Sequence, residues 1–286
     1  MIFQIKGWWM KNRLGVMQGR LSEPSPGKIQ EFPKKNWESE FPILRNIGIH
    51  LLEWTLDWPE IDNNPILNAS EIPRIVKLQV EHELAIPSAT LDCFMQFPCW
   101  HEDFSESSFL RYRILLENSK MLGLKYLVLP LVDASSIDEE YKLESLLDFC
   151  KKITPHLLSA EVQIIFESDY SALDLLDFIS KFDSTYFGIN YDIGNSASLG
   201  YSPKSEIESY GDWIKNVHVK DRILGGSTVP LGEGSADFET VFGTLASIKY
   251  SGNFILQTAR SSIGDHVGVI EKYRDMTVEW MDRYGL

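Results

Sequence analysis

The sequence predicts a single α/β domain, a (β/α)8 TIM barrel. Eight short apolar runs read as buried strands, and helical patterns fill every gap between them. No low-complexity linker or composition break interrupts the alternation. The length of 286 residues suits one such barrel, for which about 250 residues is typical, or two ordinary domains. A doubly wound open sheet also alternates, but it does not usually need eight units.

Strand one is expected over 13–17, and the loop after it, through Gly19, Pro24, Pro26, Gly27 and Pro33, is long enough to carry function. Asn36 is positioned to cap a helix with an apolar stripe of Trp37, Phe41, Leu44 and Ile47, closed by Gly48. Strand two covers 49–54, and a helix runs from Ser70 to about Leu84. Strand three covers 85–91 and is followed by Asp92; the next helix aligns Phe109, Tyr112, Leu116 and Leu122 before Gly123. Strand four, 125–132, precedes a helix that buries Leu143, Leu146, Leu147, Cys150 and Ile153 at helical spacing. Strand five covers 162–167, and a short helix with Leu175, Leu176 and Ile179 leads to strand six at 187–192. Ser202 and Pro203 make a cap followed by a first-turn proline. Strand seven covers 216–221; beyond the Gly232–Gly234 loop a helix carries Phe238, Val241, Phe242, Leu245 and Ile248. Strand eight covers 252–257, and the last helix runs from about His266 to Arg283. Residues 1–12 read as an N-terminal extension and 13–286 as the barrel domain. Lys6 breaks the opening apolar stretch, which lacks a small-residue cleavage site, so no signal peptide is expected.

Composition narrows the function. The net charge is −14, from 41 acidic and 27 basic residues, a field that repels phosphate backbones and argues against nucleic-acid binding. No apolar stretch approaches the ~20 residues of a membrane span. Three cysteines, Cys93, Cys99 and Cys150, lack framework spacing and point to a reducing, cytoplasmic compartment.

Four of the strands end in residues of metal-ligand type: Glu167, Asp192, His218 and Gln257. In a closed parallel barrel, residues at the carboxyl ends of strands meet on one face, which carries the chemistry. Any one of them has a bland explanation, since a lone strand histidine is more often structural and a strand-end carboxylate often caps a helix. Four in consecutive strands require that explanation four times, so a divalent-metal site and an enzyme are expected. Alternation in strand seven puts His218, Lys220 and Arg222 on one side and Val217, Val219 and Asp221 on the other.

The chain resembles the sugar phosphate isomerase/epimerase family of xylose-isomerase-like barrels over nearly its whole length. The resemblance rests on Leu14-Gly-Val-Met-Gln-Gly-Arg20-Leu, Ile29-Gln-Glu-Phe-Pro33, Trp37 and Glu40-Phe41. Later in the chain it rests on Asn190-Tyr-Asp192-Ile-Gly-Asn195, Val217-His218-Val-Lys-Asp221 and Pro230-Leu-Gly-Glu-Gly234. It implies one divalent ion, Mn2+, Mg2+, Co2+ or Zn2+, on Glu167, Asp192 and His218, with Gln257 where a second glutamate is usual. Asn195 stands where many members have a substrate-facing histidine.

In the related epimerases two glutamates flank the carbon that loses its proton. Gln257 cannot exchange protons near neutral pH, whereas Glu167 remains a base. A same-face shuttle between C1 and C2 survives that loss, so aldose–ketose isomerisation is favoured over epimerisation. Glu53 and Trp54 are expected to bind sugar hydroxyls and stack on the ring, and Lys220 and Arg260 to hold a phosphate or carboxylate, with Arg20 and Arg222 as weaker candidates. Asp221 is expected to orient His218 or Lys220. The implied partner is a small-molecule carbohydrate, and family members are often dimers or tetramers, which implies a homo-oligomer. The competing readings are a dehydratase acting on a cyclic polyol such as a keto-inositol, and a non-catalytic sugar-binding barrel. The endonucleases that share this barrel need a histidine-rich multi-metal cluster and a basic surface, which this chain lacks.

Overall fold

Eight parallel strands close into a ring, each paired with its sequence neighbour and the last paired back to the first. The computed structural model describes residues 13–25, 30–58 and 60–286. The expected extension over 1–12, and Pro26, Gly27 and Ile29 of the first loop, lie outside the described residues. The ring comprises β1 (Leu14–Met17), β2 (Leu51–Thr55), β3 (Ala85–Thr90), β4 (Tyr126–Leu131), β5 (Gln163–Ser168), β6 (Phe187–Asp192), β7 (Ile214–Val219) and β10 (Asn253–Leu256). A two-residue antiparallel pair, β8 (Asp221–Arg222) and β9 (Thr228–Val229), stands beyond β7. Parallel strands are covered on both faces, which is why these runs are nearly continuous in apolar residues and almost wholly buried.

Helices fill the gaps: α1 (Glu40–Asn46), α2 (Ile72–Glu81), α3 (Asp92–Gln96), α4 (Glu106–Leu122), α5 (Glu140–Ala160), α6 (Ala172–Ile179), α7 (Ile193–Leu199), α8 (Pro203–Tyr210), α9 (Phe238–Ser247) and α10 (His266–Tyr284). Ser202 caps α8 by accepting the Ser205 amide, as the Ser-Pro pair predicts. Cys150 is a buried core residue of α5. The stretch after Asn36 forms turns, and α1 begins only at Glu40. Two short helices were not anticipated, α3 and α7, and both begin at a strand's carboxyl end. At the start of α7, Asp192 caps the first turn, its Oδ1 accepting the Asn195 amide at 2.8 Å.

Two expectations are corrected by the strand geometry. Trp54 does not face the mouth. Successive side chains on β2 alternate, so with Glu53 in the lumen Trp54 lies in the outer layer. There it is fully buried against Phe32 and Trp37, and its indole N–H donates to Asn64 Oδ1 at 2.9 Å. A ring so enclosed has no face for a sugar. Strand seven stops at Val219, because Asp221 leaves the barrel to anchor the next loop, accepting the amides of Gly232, Gly234 and Ala236 at 2.9, 2.9 and 3.1 Å. Asp221 therefore orients neither His218 nor Lys220.

A Cβ on Gly234 would stand 2.1 Å from Asp221 Oδ1 and 2.7 Å from the Arg222 carbonyl oxygen. Gly234→Ala is expected to expel the loop from this anchor and destabilise the chain by about 1–3 kcal/mol, the usual scale for overpacking. Urea denaturation measures this, and an unchanged midpoint would contradict it.

Candidate metal centre

The period-two alternation of β5, β6 and β7 aims Glu167, Asp192 and His218 into the open end of the barrel. One ligand atom from each lies within 4.8 Å of the others. His218 Nδ1 stands 3.0 Å from Glu167 Oε2 and 3.8 Å from Asp192 Oδ2. Neither contact has hydrogen-bond geometry, and both His218 Nδ1 and Asp192 Oδ2 are buried without a hydrogen-bond partner. One imidazole nitrogen and one carboxylate oxygen facing a second carboxylate fit a divalent ion, whose charge would satisfy all three. Glu167, Asp192 and His218 are the residues that would hold it.

Surrounding groups hold these three in place. Glu167 is bonded at both oxygens, Oε1 by Asn195 Nδ2 at 2.7 Å and Oε2 by Asn190 Nδ2 at 2.8 Å. Asn216 Nδ2 donates to Asn190 Oδ1 at 2.8 Å and steadies that amide. Glu53 Oε1 lies 2.8 Å from His218 Nε2, while its Oε2 takes Ser88 Oγ at 2.7 Å and Asn216 Nδ2 at 3.3 Å. In the neutral tautomer that a bound ion requires, the proton on Nε2 would point to Glu53 and the Nδ1 lone pair to the ligand set, the arrangement in which a carboxylate orients a metal-binding imidazole. Burial alone would lower the His218 pKa, but the Glu53 charge, together with Asp192 and Glu167, holds it well above the ordinary histidine value. Burial likewise opposes ionisation of Asp192, yet the Lys220 ammonium and the His218 ring hold its carboxyl below the usual carboxylate range.

The remaining expected substrate residues fall differently. Glu53 is fully buried beneath His218, so it serves the histidine and not sugar hydroxyls. Asn195, also buried, brackets Glu167 and accepts Arg222 Nη1 at 2.8 Å. Lys220 Nζ lies 2.7 Å from Asp192 Oδ2 and 2.9 Å from Gln257 Oε1. Arg260 donates to the Ser22 carbonyl at 2.6 Å and faces the charges of Glu40, Glu23 and Glu31, so it clamps the first loop. Glu167, Asp192 and His218 converge, whereas Gln257 is linked to them only through Lys220.

Several site residues went unassigned in the sequence. Asn190 and Asn216 lie two positions before Asp192 and His218, and a polar residue at that spacing in an apolar strand is the signal that marks them. Asp92 opens α3 two residues beyond the end of β3, near the same mouth as Asp192 at the end of β6. Its Oδ2 meets the amide of Gln30, whose Oε1 accepts Arg20 Nη2 at 2.6 Å, forming a strap from the first loop to β3. Burial, with the charges of Asp57 and Glu167, pushes the Asp92 carboxyl up to about 7. Burial and the Arg260 charge bring the Arg20 guanidinium down to about 10.

Known proteins align along most of this chain. The L-ribulose-5-phosphate 3-epimerase UlaE of Escherichia coli strain K12 is 24% identical over 263 residues, spanning 87% of this chain and 92% of that one. The crystal structure of a D-allulose 3-epimerase from Methylomonas sp. superposes with a TM-score of 0.74 at 13% identity, covering 94% of this chain and 98% of the other. A xylose isomerase-like TIM barrel protein from Mycobacterium smegmatis, in complex with magnesium, gives 0.69 at 16% identity, covering 94% and 97%. At such identities the structural likenesses speak to the fold alone. The sequence model of one family matches residues 41–283. With its eight parallel strands and that match over most of its length, this chain belongs to the xylose isomerase-like TIM barrel family.

Proposed function

We propose that this chain is an isomerase-type enzyme that moves a proton next to the carbonyl of a sugar or sugar phosphate, with a divalent ion as cofactor. The observation that carries the reading is Glu167, a buried carboxylate held at both oxygens by asparagine amides beside the converging atoms of Asp192 and His218. The similarity to a relative named as an L-ribulose-5-phosphate 3-epimerase supports it. A bound ion would draw electron density from the sugar carbonyl and so acidify the neighbouring C–H. Glu167 takes that proton and, fixed by Asn190 and Asn195, returns it from the same side. Gln257 supplies an amide oxygen but has no proton to exchange. A single base suits transfer between C1 and C2, aldose–ketose isomerisation, better than inversion at one carbon. The three free cysteines accord with a reducing cytoplasm, and a homo-oligomer accords with the family.

The test is an activity screen over aldoses, ketoses and their phosphates, with and without added Mn2+, repeated on Gln257→Glu. The wild-type chain should interconvert an aldose and its ketose, and the variant should gain epimerisation by at least tenfold. A product lighter by one water, or no turnover in any arm, would defeat the reading.

A further inference from the structure

Lys220 contacts two of the four side chains that end the ligand-bearing strands, and its placement is built. It follows β7 two residues after His218, on the same side of the chain. A Cβ on Gly194 would stand 2.7 Å from Lys220 Cγ and 3.1 Å from its Cβ, so the lysine stem lies flat on the start of α7. The packed stem leaves the ammonium end to make the polar contacts. That end sits 2.7 Å from Asp192 Oδ2, an atom without a directed hydrogen bond, and donates to Gln257 Oε1 at 2.9 Å. Asp192 Oδ2 in turn lies 3.8 Å from His218 Nδ1, which stands 3.0 Å from Glu167 Oε2.

From this geometry we infer that Lys220 is an internal cation that competes with the divalent ion for Asp192 and Gln257 and thereby sets the affinity of the site. The inference rests on the metal-site reading above. One Asp192 oxygen is already bonded to the Asn195 amide, so the ammonium and a divalent ion need the same remaining oxygen. Two cations at neighbouring positions in a buried site repel strongly because little solvent screens them. Metal entry therefore requires the lysine head to turn away from Asp192. Gln257 suits this exchange: its neutral oxygen accepts the ammonium, and it adds no third carboxylate to favour the ion. In the structure the ammonium itself pairs with that remaining Asp192 oxygen.

The experiment is calorimetric titration of Mn2+ into metal-stripped wild type, Lys220→Met and Lys220→Gln. Both variants should bind Mn2+ at least tenfold more tightly than the wild type. Should Lys220→Met fail to fold, Lys220→Gln, with an amide still able to reach Asp192, carries the same comparison. A measurement on the wild-type chain needs no variant: saturating Mn2+ should raise acylation of Lys220 by an amine-reactive reagent several-fold, read by peptide mass. Equal or weaker binding in a folded variant, or labelling that Mn2+ leaves unchanged or slows, overturns the inference while the metal site stands. No Mn2+ binding in any of the three proteins removes the metal site itself, and the inference with it.

Discussion

Glu167→Gln is expected to lower kcat by about 10²–10⁴-fold, the range in which a positioned general base contributes. The substitution keeps the shape of the side chain but removes its ability to take a proton. It also disturbs the bracket around it. Asn190 and Asn195 both donate to the carboxylate, one to each oxygen. A glutamine amide has a single oxygen, so its NH2 group must confront one of these donors or force an asparagine to flip. A buried hydrogen bond lost this way costs about 1–3 kcal/mol, so thermal unfolding should shift downward modestly while far-UV circular dichroism stays native. Steady-state rates on whichever sugar the screen identifies give the readout. Retention of activity within tenfold would remove Glu167 from the role of base.

Glu53→Ala should have the largest effect on stability. The change leaves His218 without the carboxylate that neutralises it, leaves Ser88 without its Glu53 acceptor and leaves Asn216 with only its bond to Asn190. Breaking a buried pair of this kind costs roughly 3–5 kcal/mol. Loss of the group that orients a metal-binding imidazole typically weakens metal affinity 10–100-fold. The pH dependence has a definite sign. The folded-state pKa of His218 lies above its ordinary value, so its contribution is fully present below the unfolded pKa of about 6.5 and is lost as pH rises through the folded value. The stability gap between wild type and Glu53→Ala, both metal-free, should therefore be widest in mild acid and narrow toward alkaline pH. Asp192 acts oppositely: its contribution is present above the unfolded value of about 3.9 and fades as pH falls through the depressed folded value. Urea unfolding from mild acid to pH 10 resolves the difference, and a gap that widens with alkalinity would contradict the pairing.

The strand ends were the legible part of the site. A carboxylate or imidazole closing an apolar run is visible in one dimension, and parallel closure brings such ends together. That is how Glu167, Asp192 and His218 declared themselves. Asp92 obeys the same rule but stands outside the set the family likeness marks, and it received no role. The supporting amides were legible only in principle, as polar residues at lumen-facing positions of β6 and β7. Glu53 and Trp54 illustrate where pattern fails. Period-two alternation requires adjacent residues to part, and in so apolar a strand it does not name which one enters the lumen.

By itself, the sequence determined the closed barrel, the order of its elements and the face on which chemistry would gather, because these follow from local periodicity and the short connections it permits. Tertiary structure alone decided what each polar side chain meets. Glu53 and His218 are 165 positions apart, and Lys220 and Gln257 are 37 apart. Their pairing depends on how deep each side chain sits once the ring is shut and water is displaced. Within that ring a glutamate expected to bind sugar supports a histidine, and a lysine expected to bind phosphate holds two of the strand ends reserved for a metal.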